Sequence, residues 1–182
     1  MASSTTGSNT GIKNSCSPPL LYDERTGEPY LPLLPPIGPR IRITMPKIDL
    51  INPALEPNDI DAVVRLQNLP EIYPYLLNPP RPFLPEHAAE WLIRRKIGCQ
   101  AILDQMRTSE PGSPVDGCPV HILREIREDG TDVFIGDISF SRQHFPEISD
   151  PVERERRKQE NNACPSGDSR IVYTFACEVL LT

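Results

Sequence analysis

Residues 120–140 read VHILREIREDGTDVFIGDISF, and this stretch decides the fold. Val120, Ile122 and Ile126 alternate with other residues on one side of Glu128-Asp129-Gly130-Thr131, and the apolar run VFIGDISF follows on the other. Two such runs joined through Asp-Gly predict a β-hairpin, and the dipeptide is the signal of a type I′ turn, whose two central residues take positive φ.

Working outward, Arg40–Met45 (RIRITM) alternates Ile41, Ile43 and Met45 with polar partners, as a half-buried strand does. Asn58 is placed to cap a helix, with Asp61 completing an N-x-x-D box. Ile60, Val63 and Val64 form the apolar face, and Pro70 closes it. Glu71–Phe83 holds too many prolines for a helix. Pro85 suits the first turn of a second helix reaching about Met106, with Ala88, Leu92, Cys99, Ile102 and Met106 near one stripe that Arg95 interrupts. Val152–Asn162 (VERERRKQENN) reads as a short charged helix or a solvated loop, and Ile171–Phe175 (IVYTF) as a last strand. The order strand, helix, helix, strand, strand, strand predicts an α+β or mixed α/β domain.

Composition locates the rest. Prolines number 22 in 182 residues, against roughly 5% in average proteins, and glycine is ordinary at 10. Residues 1–17 are polar and are expected to form a disordered tail. Residues 18–39 hold seven prolines and are expected to be extended, as a strap packed through Leu20, Leu21, Tyr30, Leu33 and Leu34 or as a polyproline ligand. Residues 40–182 then form the domain. A net charge of −6 argues against a broad nucleic-acid surface, and no apolar run approaches the ~20 residues of a membrane span. The five cysteines include no CxxC pair, and the start lacks a signal-peptide pattern. A reduced intracellular setting is expected, cytoplasmic with the nucleus left open.

Few residues carry an evident chemistry. Cys118 and His121 make a C-x-x-H pair without a second ligand pair, so no metal site is assigned. His87 and Cys99 lie about three turns apart on the second helix, too far for a proton relay. Glu125 and Asp137, on adjacent strands, are able to approach, so that one of them, partly buried, has a raised pKa and serves as a general base, or to lie solvated on opposite sides of the sheet. Tyr73, Tyr75 and Phe83 line a substrate mouth or pack into the core.

Taken in order, RIRITMPKIDLINPALEPNDIDAVVRLQNLPEIYPYL resembles the opening of a GNAT-type N-acetyltransferase. So does LPEHAAEWL, which is similar to the family's second-helix segment, and Val133–Ile138 (VFIGDI), like its x-x-I-G-x-I strand. The pattern is similar to fungal members related to ribosomal-protein acetyltransferases and covers about residues 40–175. The resemblance implies transfer of acetyl from acetyl-CoA to an amine. It also implies that Tyr173, Thr174 and Phe175 contact the pantetheine arm through their backbone, and that Tyr73 and Tyr75 belong to a substrate loop. No catalytic residue carries over. After Thr174 the sequence reads FACEVLLT, with no counterpart of the family's glycine-bearing pyrophosphate loop. The expectation is therefore the N-terminal half of a GNAT-like fold, incomplete in its cofactor-binding half and with little activity by itself. The alternative is a non-catalytic module that recruits a partner strand, or a second copy, at an exposed sheet edge.

Overall fold

In the computed structural model, which describes residues 20–33, 40–76, 79–110 and 112–180, the hairpin is the middle of a larger antiparallel sheet. Its strands are β4 (Ile122–Ile126) and β5 (Asp132–Arg142). The turn is not type I′. Gly130 alone has positive φ, at 81°; its N–H donates to the Arg127 carbonyl (3.0 Å), while the Arg127 N–H donates to Thr131 O (2.9 Å). This is a type I turn closed by a left-handed glycine, which spares Asp129 the strained conformation that type I′ demands. A bulge also interrupts the hairpin: Leu123 faces Gly136 and Arg124 faces Phe134, so Ile135 is the extra residue on β5.

Six strands pair in sequence order, all antiparallel. They include β3 (Arg40–Thr44) beside β4 and β6 (Tyr173–Val179) beside β5. The proline-rich segment is a correction to the strap reading. Its described part forms β1 (Leu21–Tyr22) and β2 (Pro29–Leu33), a hairpin that extends the sheet beyond β3. Asp23 turns it, its carboxylate accepting from the N–H groups of Arg25 (3.0 Å) and Thr26 (3.1 Å). Leu20 is buried and Tyr30 half-buried, whereas Leu21 and Leu33 are exposed. Leu34 and the tail of residues 1–17 lie outside the described residues.

Three α-helices accompany the sheet. Helix α1 (Ile60–Gln67) buries Val63 and Leu66, and α2 (Pro85–Thr108) buries Ala88, Leu92, Cys99 and Leu103. The expected cap is shifted: Asn58 Oδ1 accepts from Ile60 N–H (3.0 Å), but Asp59 occupies the cap position, and its side chain is turned elsewhere. Between these helices Tyr73–Tyr75 makes one 3₁₀ turn. The charged segment is α3 (Pro151–Ala163), started by Asp150, whose carboxylate accepts from Val152 N–H (3.0 Å). Its one buried residue, Asn161, donates to Val172 O (2.8 Å) and accepts from Val172 N–H (2.8 Å), which ties α3 to the start of β6.

Helix α2 joins two apolar clusters. Ala88 and Leu92 meet Val63, Leu66, Phe83, Ile122 and Phe134. Cys99 and Leu103 meet Leu20, Ile43, Met45, Val120 and Leu123. Full burial of each such Leu, Ile, Val or Phe side chain contributes about 1.5–3 kcal/mol. The architecture is thus mixed α/β, with an antiparallel sheet of six strands and three helices among the described residues. No helix among them is long and apolar enough to cross a membrane.

Candidate functional site: the edge strand and its carboxylate pair

Strand β6 has a neighbour on one side only among the described residues. Its register on β5 is regular from Tyr173↔Arg142 to Val179↔Gly136. At one end of the ladder Leu180 N–H donates to Ile135 O (2.7 Å), and at the other Gln143 N–H donates to Val172 O (2.9 Å). Antiparallel pairing alternates strictly between these two marks, so Thr174, Ala176 and Glu178 turn their N–H groups toward β5. Tyr173, Phe175, Cys177 and Val179 turn theirs outward. Of the three residues marked for pantetheine contact, Tyr173 and Phe175 therefore present a free-side amide and Thr174 does not. The side chains differ as well. Phe175 is 63% exposed, while Tyr173 stacks on Phe140 at 4.5 Å and donates its hydroxyl to Asp116 (2.8 Å).

Asp116 fixes this end of the strand. Its carboxylate also accepts from Arg142 (2.5 Å) and Ser166 (2.8 Å). Burial alone would raise its pKa, but these hydrogen bonds outweigh it and hold the carboxyl below the usual range.

Toward the other end, the register aligns Thr44, Ile122, Asp137 and Glu178 in one row across four strands. Asp137 and Glu178 are directly opposed, on a hydrogen-bonded pair of the ladder. Asp137, only 7% exposed at its side chain, accepts from Arg95 of α2 through Oδ2 (3.1 Å), while its Oδ1 is buried without a partner. Glu178 accepts from the neutral Gln67 of α1 (2.7 Å). One guanidinium therefore serves two carboxylates. Burial, reinforced by Glu178 and opposed by Arg95, pushes Asp137 up to about 6. Glu178 is raised too, again by burial, with Gln67 and Arg95 opposing. A carboxyl group in that range exchanges its proton near neutral pH.

Behind Arg95 opens a groove of about 470 Å³ lined by Trp91, Ile102, His121, Phe140 and Arg142 among others. Arg95 lies over the Trp91 ring at 4.9 Å. His121 is buried, its Nδ1 2.8 Å from Ile138 O; burial pulls its pKa down, so the ring is neutral at physiological pH.

The structure separates Glu125 from Asp137. Glu125 pairs with Val133, and Asp137 pairs with Ile122 three residues away on β4; an odd offset sets them on opposite faces. The carboxylate that does meet Asp137 is Glu178, 41 residues further along the chain, where the sequence offers no local signal. Cys118 and His121 recruit no further ligands: among the described residues no group of three or more His, Cys, Asp and Glu gathers to hold a metal ion. Cys99 is fully buried, and desolvation pushes its thiol up to about 12, so it supplies no thiolate nucleophile. His87 is occupied at the start of α2, its Nδ1 accepting from Leu84 N–H (3.0 Å). In the proline-rich loop Phe83 joins the core, Tyr73 is half-buried and Tyr75 is 86% exposed. The loop thus leaves Tyr75 exposed to solvent and holds Phe83 inside.

Comparison of the chain with models of protein families, with curated proteins and with solved structures finds no match in any of the three.

Proposed function

We propose that this chain is a GNAT-like protein that transfers acetyl from acetyl-CoA to an amine. The observation that carries the reading is the outward row of amides on β6, at Tyr173, Phe175, Cys177 and Val179, on the strand that closes the order β3, α1, α2, β4, β5, β6. An extended, amide-bearing pantetheine arm suits such an edge, because strand-like pairing satisfies donors that β6 leaves open. Tyr173 and Phe175 would hold the arm by backbone N–H groups, with the Phe175 ring exposed alongside. Acetyl-CoA, when bound, supplies an activated acetyl thioester. The chain's own contribution is to orient the arm and, through its net charge of −6, to attract a cationic amine acceptor such as a protein N-terminus, a lysine or a polyamine.

The pyrophosphate finds less support here. A phosphate-binding helix start offers free N–H groups behind a glycine loop. Helices α1, α2 and α3 start behind Asp59, Leu84 and Asp150, and two of them open on proline. These helix starts repel or fail to bond an anion. The described residues are therefore expected to hold the arm more than the nucleotide, and to turn over little substrate. Calorimetric titration tests this. Acetyl-CoA and pantetheine should bind with similar, weak affinity. Absence of binding by both at millimolar ligand would overturn the reading.

A second reading rests on exposed apolar side chains along the same edge, namely Val172, Phe175 and Val179. A strand from a partner, or from a second copy, would pair there by β-augmentation. Light scattering separates the two: a concentration-dependent dimer that acetyl-CoA does not dissociate favours strand recruitment.

A further inference from the structure

The edge strand is held to the sheet across an unequal arrangement of charge. Asp137 and Glu178 stand opposite each other, and like charges so placed push a strand pair apart. Charged and titratable groups face the pair from several elements. Arg95 reaches from α2 to Asp137; Gln67 reaches from α1 to Glu178 but carries no charge; Cys99 of α2 and Cys177 of β6 are thiols whose ionisation burial opposes first, then Cys118 and Asp137 for Cys99 and the two carboxylates for Cys177. His121 has its pKa lowered by burial first and by Arg95 as well. On the other strand of the row Ile122 is fully buried and apolar. With both carboxylates ionised the cluster carries one negative charge in excess, and the buried Asp137 Oδ1 has nothing to accept. A proton on that pair removes the excess.

The spacing makes β6 sensitive to it. At Gly136, the neighbour of Asp137, an added Cβ would collide with the Glu178 carbonyl, so the two strands touch without intervening side chain at this point. Nothing there cushions a change in separation.

We propose that Asp137 is a positioning residue for the edge strand: a proton on its carboxyl, which removes the charge opposed to Glu178, seats the Glu178–Leu180 end of β6 on β5, and loss of that proton loosens it. This inference does not depend on the acetyl-transfer reading. If that reading also holds, the outward amides that would hold the arm are better ordered in mildly acidic solution than above neutrality.

Hydrogen exchange of the full chain tests it, followed by NMR at Glu178 and Leu180, whose N–H groups point into the ladder. After division by the intrinsic exchange rate, protection should fall about tenfold between pH 5 and pH 7, as a carboxyl of pKa about 6 in the seated strand and 3.8 in the open one requires. Leu123 and the rest of β4 should keep their protection. D137N should flatten the profile. Should D137N fold poorly, E178Q keeps the Gln67 contact, removes the opposed charge and should make the fall measurably shallower without abolishing it. Equal protection at both pH values in the unaltered chain, or an unchanged profile in both variants, would overturn the proposal. So would side-chain carboxyl ¹³C titrations placing both groups below pH 4.5.

Discussion

Two buried charge clusters sit on neighbouring strands of this sheet and are built on opposite terms. At the β3–β4 end, Asp59 accepts from Arg124 (2.6 Å) and from the Lys47 N–H (2.7 Å). Arg124 also bonds Thr44 (2.8 Å), and Asp132 meets both Lys47 Nζ (2.5 Å) and Arg124 (3.6 Å). Two carboxylates meet two cations, and Arg124 and Asp59 are 2% and 3% exposed. At the β5–β6 end, Asp137 and Glu178 share Arg95 alone, and one oxygen is left over. The first cluster anchors the residue before α1 to the sheet and has no free valence. The second has one, and it lies on the last strand of the sheet among the described residues. Buried charge by itself therefore marks nothing; a buried imbalance marks a place that can respond to a proton or a ligand.

The comparison can be broken at several points. The largest effect belongs to the balanced cluster. Arg124→Met strands Asp59 as an unpaired buried charge, and the urea midpoint should report a loss of about 3–5 kcal/mol. Removing Asp137 should act differently, through pH. Its carboxyl has a higher pKa folded than unfolded, so the native chain keeps a proton the unfolded chain has lost between pH 4 and pH 6. Its contribution is then fully present below pH 4 and is lost as pH rises through about 6, roughly 3 kcal/mol in all. The difference in stability between the unaltered chain and D137N, measured by urea titration at several pH values, should follow that curve. A flat difference would equate the two clusters.

Smaller still is Gly136→Ala, which sets a methyl against the Glu178 carbonyl. It should cost about 1–3 kcal/mol in thermal unfolding and lower the protection of β6 amides before those of β4. Smallest in stability is Phe175→Ser, on an exposed side chain, expected within about 0.5 kcal/mol. Its effect should show in light scattering, as less self-association if the edge recruits a second copy.

Much of this architecture was legible from residue patterns. Alternation in Ile41/Ile43 and Val120/Ile122, the Asp-Gly turn and the proline at the start of α2 mark the central strands and the longest helix, because each signal is local. The β1–β2 hairpin was hidden by its prolines. Pro32 is accommodated because β1 pairs only as far as Tyr30, leaving the rest of β2 as an edge where a missing N–H costs little. Asp-Gly fits two hairpin geometries, and only the backbone, with positive φ at Gly130 and not at Asp129, distinguishes them. At the site, Asp137 stood out in the sequence but its partner did not. Glu125 was close in the chain and on the wrong face, while Glu178 arrives through α3 and a second pairing that no local pattern encodes. Tyr173 and Thr174 look equivalent as letters. Strand parity separates them.

The proposed function turns on that parity, and residue-resolved amide shifts test it most directly. On titrating ¹⁵N-labelled protein with acetyl-CoA, the outward amides of Tyr173, Phe175, Cys177 and Val179 should shift most, and the inward amides of Thr174 and Ala176 less. Shifts centred on the Trp91–Arg142 groove with β6 unmoved, or no shift at all, would contradict it.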